Sequence, residues 1–302
     1  MDLPRHTPFD GSSRPFTIGL RQIDDALWLE PGLPDEPDLL AQKDRLIATR
    51  PAEVFASEPG MQAAGEEVLR LVIGHLDRHA PGLWAHDNGR MRSGARTVEV
   101  ADPAEPPLQA AARLVGEDMV LMRQGADGWR LAAASLCFPS SWVLAEKFGR
   151  PMAEIHAPVP GFGGGSRNDG LIGRMFDNLA RDRIVERFNW SLQADDSHYR
   201  PLTEAGREER AASTAPRFPG DMAARARVRV ERQTLRKLPA TGDILFTIRI
   251  HIDPFAAIAA RSDAAALAQS LAGQLEAMSA EELAYKGLGA DRDRLAAALR
   301  AL

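Results

Sequence analysis

Two stretches constrain this chain more than any other: RARVRVERQTL at 225–235 and DILFTIRIHID at 243–253. In the second, Ile244, Phe246, Ile248, Ile250 and Ile252 fall on one side of an extended chain. Leu245, Thr247, Arg249 and His251 fall on the other, because successive side chains of a strand point to opposite faces. The first side reads as core and the second as semi-polar. In the earlier stretch, Val228 and Val230 alternate with Arg229 and Glu231, followed by Gln233 and Leu235. Paired as a hairpin, Arg229, Glu231 and Gln233 can share a face with Thr247, Arg249 and His251; the sequence leaves the register open. Such a face reads either as a solvated surface with cross-strand ion pairs or as a pocket wall, where arginine offers forked donors to a carboxylate.

The remaining elements follow from periodicity and punctuation. Residues 36–49 are expected to be helical, with Leu39, Leu40, Leu46 and Ile47 on one side. In 60–79, Val68, Leu71, Val72, His75 and Leu76 recur at helical spacing and predict a buried stripe. A further helix is expected over 104–117 and a short strand at 97–100. The runs 119–124 and 129–138 flank Gly125-Ala126-Asp127-Gly128, a hairpin signal. Ser140 and Ser141 are placed to cap a helix through Phe148, with Gly149 as its stop. Residues 169–181 read as helix, 185–192 as strand, 193–226 as a long polar loop or lid, and the alanine-rich 254–302 as helical. The order predicts an α+β fold: an antiparallel sheet with helices on one side. The chain divides into an extended arm (1–35), a central domain (36–255) and a helical tail (256–302).

Composition excludes several classes. Net charge is −5 with no clustered excess of Lys or Arg, so a nucleic-acid partner is not expected. No long apolar run exists, so no membrane span is expected. The N-terminus lacks the pattern of a secretory leader, and a cytoplasmic location is expected. A single cysteine, Cys137, excludes an internal disulfide and Cys-clustered metal sites. GFGGGS at 161–166 lacks the ending of a phosphate loop and reads as a plain loop.

The chemistry-bearing candidates are few. His156 ends a short helix-like stretch and is followed by Ala-Pro-Val-Pro. Those prolines bias the chain towards extended backbone. The residue is either a helix terminator or a metal ligand on a stiff support. Cys137 reads as a buried small residue, and His75 as a core histidine. His251 is a candidate second ligand or acid/base. His6, His79, His86 and His198 lie in polar segments with no partner spacing.

Several of these stretches, taken together, resemble a known family. PFTIGLRQID near the start, LCFPSSWVLAEKFGRPMAEIHAPVPGF in the middle, RFNWSL, and RVERQTLRKLPATGDILFTIRIHIDP are similar to the haem-dependent oxidative N-demethylase alpha-subunit-like proteins, across most of 15–255. The resemblance implies a PAS-like antiparallel sheet flanked by helices and holding haem b. It implies oxidative removal of a methyl group from a small secondary amine such as dimethylamine, releasing formaldehyde. Electrons would come from NADPH through a separate reductase subunit that carries flavin and an iron–sulfur cluster. The segment EIHAPVP carries the haem-iron ligand over to His156. Glu231 is then the candidate for binding or deprotonating the amine. Arg229, Arg232 and Arg249 are candidates for the haem propionates or for fixing Glu231. A PAS-type haem or ligand sensor without turnover is the alternative reading.

Overall fold

The computed structural model describes residues 3–163, 166–218 and 220–302. Gly164 and Gly165, within the glycine run read as a loop, lie outside the described residues, as do Met1 and Asp2 of the arm. Among the described residues, ten strands form two antiparallel sheets. They are β1 (Arg21–Ile23), β2 (Phe55–Ser57), β3 (Ala85–Asp87), β4 (Arg90–Ser93), β5 (Arg96–Glu99), β6 (Asp118–Gly125), β7 (Gly128–Ser135), β8 (Ile184–Gln193), β9 (Arg227–Lys237) and β10 (Ile244–Pro254). The large sheet runs β1-β8-β9-β10-β6-β7-β2; the small one is β3-β4-β5. The fold is therefore α+β, as expected.

The two strongest strand signals form the centre of the large sheet. Lys237 opposes Ile244, so odd positions of β9 face even positions of β10. The register is fixed by the connecting turn, where Leu238 N–H donates to Asp243 O at 2.8 Å and Gly242 takes a φ of 79°, which an L side chain rarely adopts. Gln233 thereby lies beside Ile248 and Glu231 beside Ile250. This differs from the pairing expected from the sequence. Arg229, Glu231 and Gln233 share the face of Phe246 and Ile248, whereas Arg249 and His251 share a face with Arg232 and Val230.

Helices cover both faces, not one. On one face Met119, Leu121 and Leu245 pack with the helix Gln62–His79, whose Ala64, Val68, Val72 and Leu76 are buried at four-residue spacing. Each fully buried Val or Leu contributes roughly 1.5–3 kcal/mol, so Val68→Asp would unseat that helix. The far end of this face packs Val228 and Val230 against Phe255 and the helices Ala264–Glu276 and Arg292–Arg300. On the opposite face Val120, Met122, Leu235 and Ile248 meet Phe162, Ile172 and Phe176. The helix Glu36–Thr49 sends Leu39 to this second core and Leu40 to the first. The tail is helical as read, and 193–226 carries the helices Glu204–Ala212 and Met222–Arg225 within its irregular course.

The segment after β7 takes a different course from the one expected. Ser141 does not cap a helix: its φ is 64°, and the helix Leu144–Lys147 starts after Val143. The extended run from β7 is held instead by buried Asp118, whose carboxylate accepts from the backbone N–H of Cys137 and Phe138 at 3.0 and 2.6 Å. Cys137 is buried as expected, and burial pushes its thiol up.

Candidate functional site

A cavity of about 270 Å³ lies between the sheet face bearing Glu231 and the helices and loops laid across it. Its floor is apolar, built from Val120, Met122 and Leu131 of β6 and β7, Leu235 of β9, and Phe246 and Ile248 of β10. Its roof is also apolar: Trp142, Met152, Ile155, Phe162, Ile172 and Phe176. The N-terminal arm closes one side with Phe16, Ile18 and Leu20. Phe16 and Ser141, two of the three non-glycine residues with positive φ among the described residues, both line this cavity. Such conformations cost about 1–3 kcal/mol each and persist only where the surroundings hold them.

His156 stands on the roof in the last turn of the helix Met152–His156. The backbone N–H of Val159 donates to His156 O at 2.8 Å, closing a turn directly before Pro160. The imidazole lies 6.2 Å from the Phe162 ring, tilted by 41°. The extended backbone expected after His156 is not what forms: Ala157, directly before Pro158, stays in the right-handed helical region (φ −50°, ψ −38°), and the chain turns there.

Glu231 faces the cavity from the sheet. Its Oε2 accepts from Gln233 Nε2 at 2.9 Å and from Asn189 Nδ2 at 3.3 Å. Asn189 is its cross-strand neighbour on β8 and Gln233 the next residue on its own side of β9. Alternation along two adjacent strands therefore assembles this polar triplet.

The three arginines named from sequence are placed differently. Arg229 shares the face of Glu231, and its Nε lies 4.0 Å from Glu231 Oε1. Its other nitrogens donate to Phe138 O at 2.9 Å and His198 O at 3.2 Å, so it ties loops together beneath the site. Burial lowers it to about 10. Arg232 points to the opposite face, donating to Glu186 Oε2 at 2.8 Å and Trp28 O at 3.1 Å. Arg249 also lies there, fully buried, with Asp35 Oδ1 at 2.8 Å. A Cβ at Gly116 would sit 1.3 Å from Arg249 Nη1, so only glycine leaves room for it. Neither Arg232 nor Arg249 lines the cavity, because the register turns even positions of β9 and odd positions of β10 away from it. His251 is on that far face too.

The sequence reading missed the cations that do line the cavity. Arg187 comes from β8; Arg200, Arg207, Arg210 and Arg217 come from the polar region expected as a loop or lid; Lys147 and Lys286 come from flanking helices. Among the described residues, only Arg200 and Arg207 of this group make carboxylate ion pairs, with Asp195 and Glu146. Arg210 donates to Ser141 Oγ at 2.8 Å and Tyr285 O at 3.0 Å, and Arg217 to Gly287 O at 2.8 Å. Lys286 Nζ donates to Trp190 O at 2.6 Å. Lys147 lies 4.4 Å from the centre of the Trp142 ring.

This gathering shows in the acid–base properties. Burial, then the Arg207 guanidinium, lowers Lys147 to about 8. Burial lowers Lys286 to about 8, with Arg187 adding to the effect and Glu231 opposing it. Arg210 falls to about 10 through burial and then the charges of Arg217, Arg200 and Arg207. Buried positive charge without matching carboxylates is expensive, and an anion entering the cavity relieves it. No local run of basic residues announced the cluster, since its members are drawn from strands, loops and helices spread between 147 and 286.

The cavity thus combines apolar walls, one imidazole, one hydrogen-bonded carboxylate and a surplus of cations, Lys286 buried and the others half-buried. That donor set fits a planar apolar group with acidic substituents, held by a neutral nitrogen ligand on one side. A family model described as haem-dependent oxidative N-demethylase, alpha subunit-like, matches residues 34–296. The match covers most of the chain, and the protein belongs to that family.

Proposed function

We propose that the cavity holds haem b with His156 as its iron ligand, and that the chain is the haem-bearing subunit of an oxidative N-demethylase acting on a small secondary amine. The observation that supports this most is the pairing, in one cavity, of the His156 imidazole on an apolar roof with cations that lack carboxylate partners. The propionates would be met by cations of that set, Arg187, Arg210 and Arg217 foremost, rather than by Arg232 and Arg249.

When bound, haem supplies the redox chemistry that oxidises the N-methyl group. The protein's own part is binding, orientation and proton control. Glu231 is the carboxylate facing the cavity that accepts an N–H from the amine; Gln233 and Asn189 fix its orientation. The surrounding positive charge disfavours an ammonium ion and so favours the amine in its neutral form. Lys147 and Lys286, both brought near pH 8, are able to exchange the proton that is lost. The apolar roof and floor exclude bulk water from the reacting carbon. Electrons are proposed to arrive from NADPH through a separate reductase subunit with flavin and an iron–sulfur centre; of this, the alpha-subunit description of the family supports the existence of a further subunit.

The test is reconstitution with haem followed by assay with a secondary amine, a reductant and oxygen. Stoichiometric formaldehyde supports the demethylase. Stable haem binding without formaldehyde, across amines and reductants, would leave the sensor reading in its place.

A further inference from the structure

On the sheet face turned away from the cavity, three residues distant in sequence converge. His6 Nε2 lies 2.8 Å from Glu30 Oε1, and His251 Nε2 lies 2.9 Å from Glu30 Oε2. One potential ligand atom from each lies within 4.8 Å of the others. The two imidazoles meet edge to face with centroids 5.0 Å apart. Phe188 packs against His6 at 4.9 Å and walls the group on one side. Glu30 and His251 are buried, and His6 is mostly so.

The charge around this group is unbalanced towards negative. Glu30 backbone N–H donates to Glu117 Oε1 at 2.8 Å, which brings a second buried carboxylate alongside. Asp253 follows His251 on the same side of β10, and its Oδ2 is buried with no hydrogen-bond partner; the same holds for Glu117 Oε2. The cation in direct contact is Arg5, 2.5 Å from Glu30 Oε1, whose side chain is 52% exposed and free to swing into solvent.

We propose that His6, Glu30 and His251 form a binding site for a divalent transition-metal ion, Zn2+ by preference, which fastens the N-terminal arm to β10. Two imidazole nitrogens and one carboxylate oxygen are a ligand set that suits Zn2+ and leaves a fourth position for water or for Asp253. Small outward shifts from hydrogen-bonding to ligand–ligand spacing suffice to admit the ion. Arg5 is displaced when it enters. The ion joins residue 6, residue 30 and residue 251, so it closes long loops in the chain and stabilises the folded state by binding it alone. Because the site is on the far face from His156, it stands independently of the haem reading.

The test uses the full chain as purified, stripped with chelator and titrated with ZnCl2 by calorimetry. One equivalent should bind. His6→Ala, a change on the arm that leaves the core intact, should weaken binding at least tenfold. Glu30→Gln should do the same. His79→Ala is the control for the other His-containing cluster, Asp25, His75 and His79, and should leave the titration unchanged. Zn2+ should also slow proteolysis of the arm in the wild type and not in His6→Ala. Absence of Zn2+ binding, binding insensitive to both His6→Ala and Glu30→Gln, or binding lost in His79→Ala would each overturn the proposal.

Discussion

Gln233 Nε2 donates to Glu231 Oε2 at 2.9 Å, from two residues along the same strand, and both side chains face the cavity. An amide that donates to a carboxylate orients it and leaves its other oxygen available. Glu231→Gln should therefore lower kcat/KM for a secondary amine by about 10–100-fold, the range of a lost charged hydrogen bond and proton partner. Haem content should not change. Steady-state kinetics beside a pyridine haemochrome assay separates the two effects.

Gln233→Leu removes the orienting donor and keeps the carboxylate. The expected loss is smaller, about tenfold, and falls mainly on KM. Equal losses in Gln233→Leu and Glu231→Gln would mean that Glu231 acts only as part of a rigid wall.

The cationic lining predicts effects of opposite sign in the two states. Arg210→Met should stabilise the haem-free chain, because it removes a half-buried charge that lacks a carboxylate partner. The same change should weaken haem retention, by about 1–3 kcal/mol if one charged hydrogen bond is lost. Denaturant melts of the haem-free form and haem transfer to a scavenging globin measure each side. Arg249→Met should act on stability alone. It leaves Asp35 and Glu36 without their buried partner and destabilises the chain by about 3–5 kcal/mol, with haem affinity unaffected.

Stability should depend on pH in two windows. His75 is fully buried, and burial, then the neighbouring His79, lowers it to about 4. Its folded-state pKa is below the unfolded value near 6.5, so the unfolded chain binds the extra proton first. Stability is lost as pH falls from about 6.5 towards 4, by up to about 3 kcal/mol. Burial also lowers His198 to about 4, so His75→Phe should reduce that limb without abolishing it. Lys286, lowered to about 8, acts at the other end: the unfolded chain holds the proton up to about pH 10.5, so stability of the haem-free form rises between about pH 8 and 10.5. Lys147, also lowered to about 8, adds to the same rise, so Lys286→Met should reduce it by about half and the double change with Lys147→Met should remove it. Melting curves across pH check both.

Much of the fold was legible because strands and helices announce themselves by period. The stripe in 62–79, the hairpin around Gly125 and Gly128, and the two central strands all stand where alternation and turn residues put them. The register of β9 against β10 was not legible, since it depends on how the 238–243 turn closes. That one parity decides which arginines face the cavity, and it separates Arg232 and Arg249 from Glu231. His156 was singled out because prolines in sequence act on local backbone. The cationic lining was hidden because Arg187, Arg210, Arg217 and Lys286 meet only after the polar segment folds over the sheet. His6 was passed over for the same reason: its partners Glu30 and His251 are neighbours in space alone.

The most direct test of the central claim is the ultraviolet–visible spectrum of the haem-reconstituted protein, oxidised and then reduced with dithionite, for the wild type and for His156→Ala. The account predicts a Soret band that shifts on reduction in the wild type and loss of stably bound haem in the variant. An unchanged spectrum and a full complement of haem in His156→Ala would contradict it.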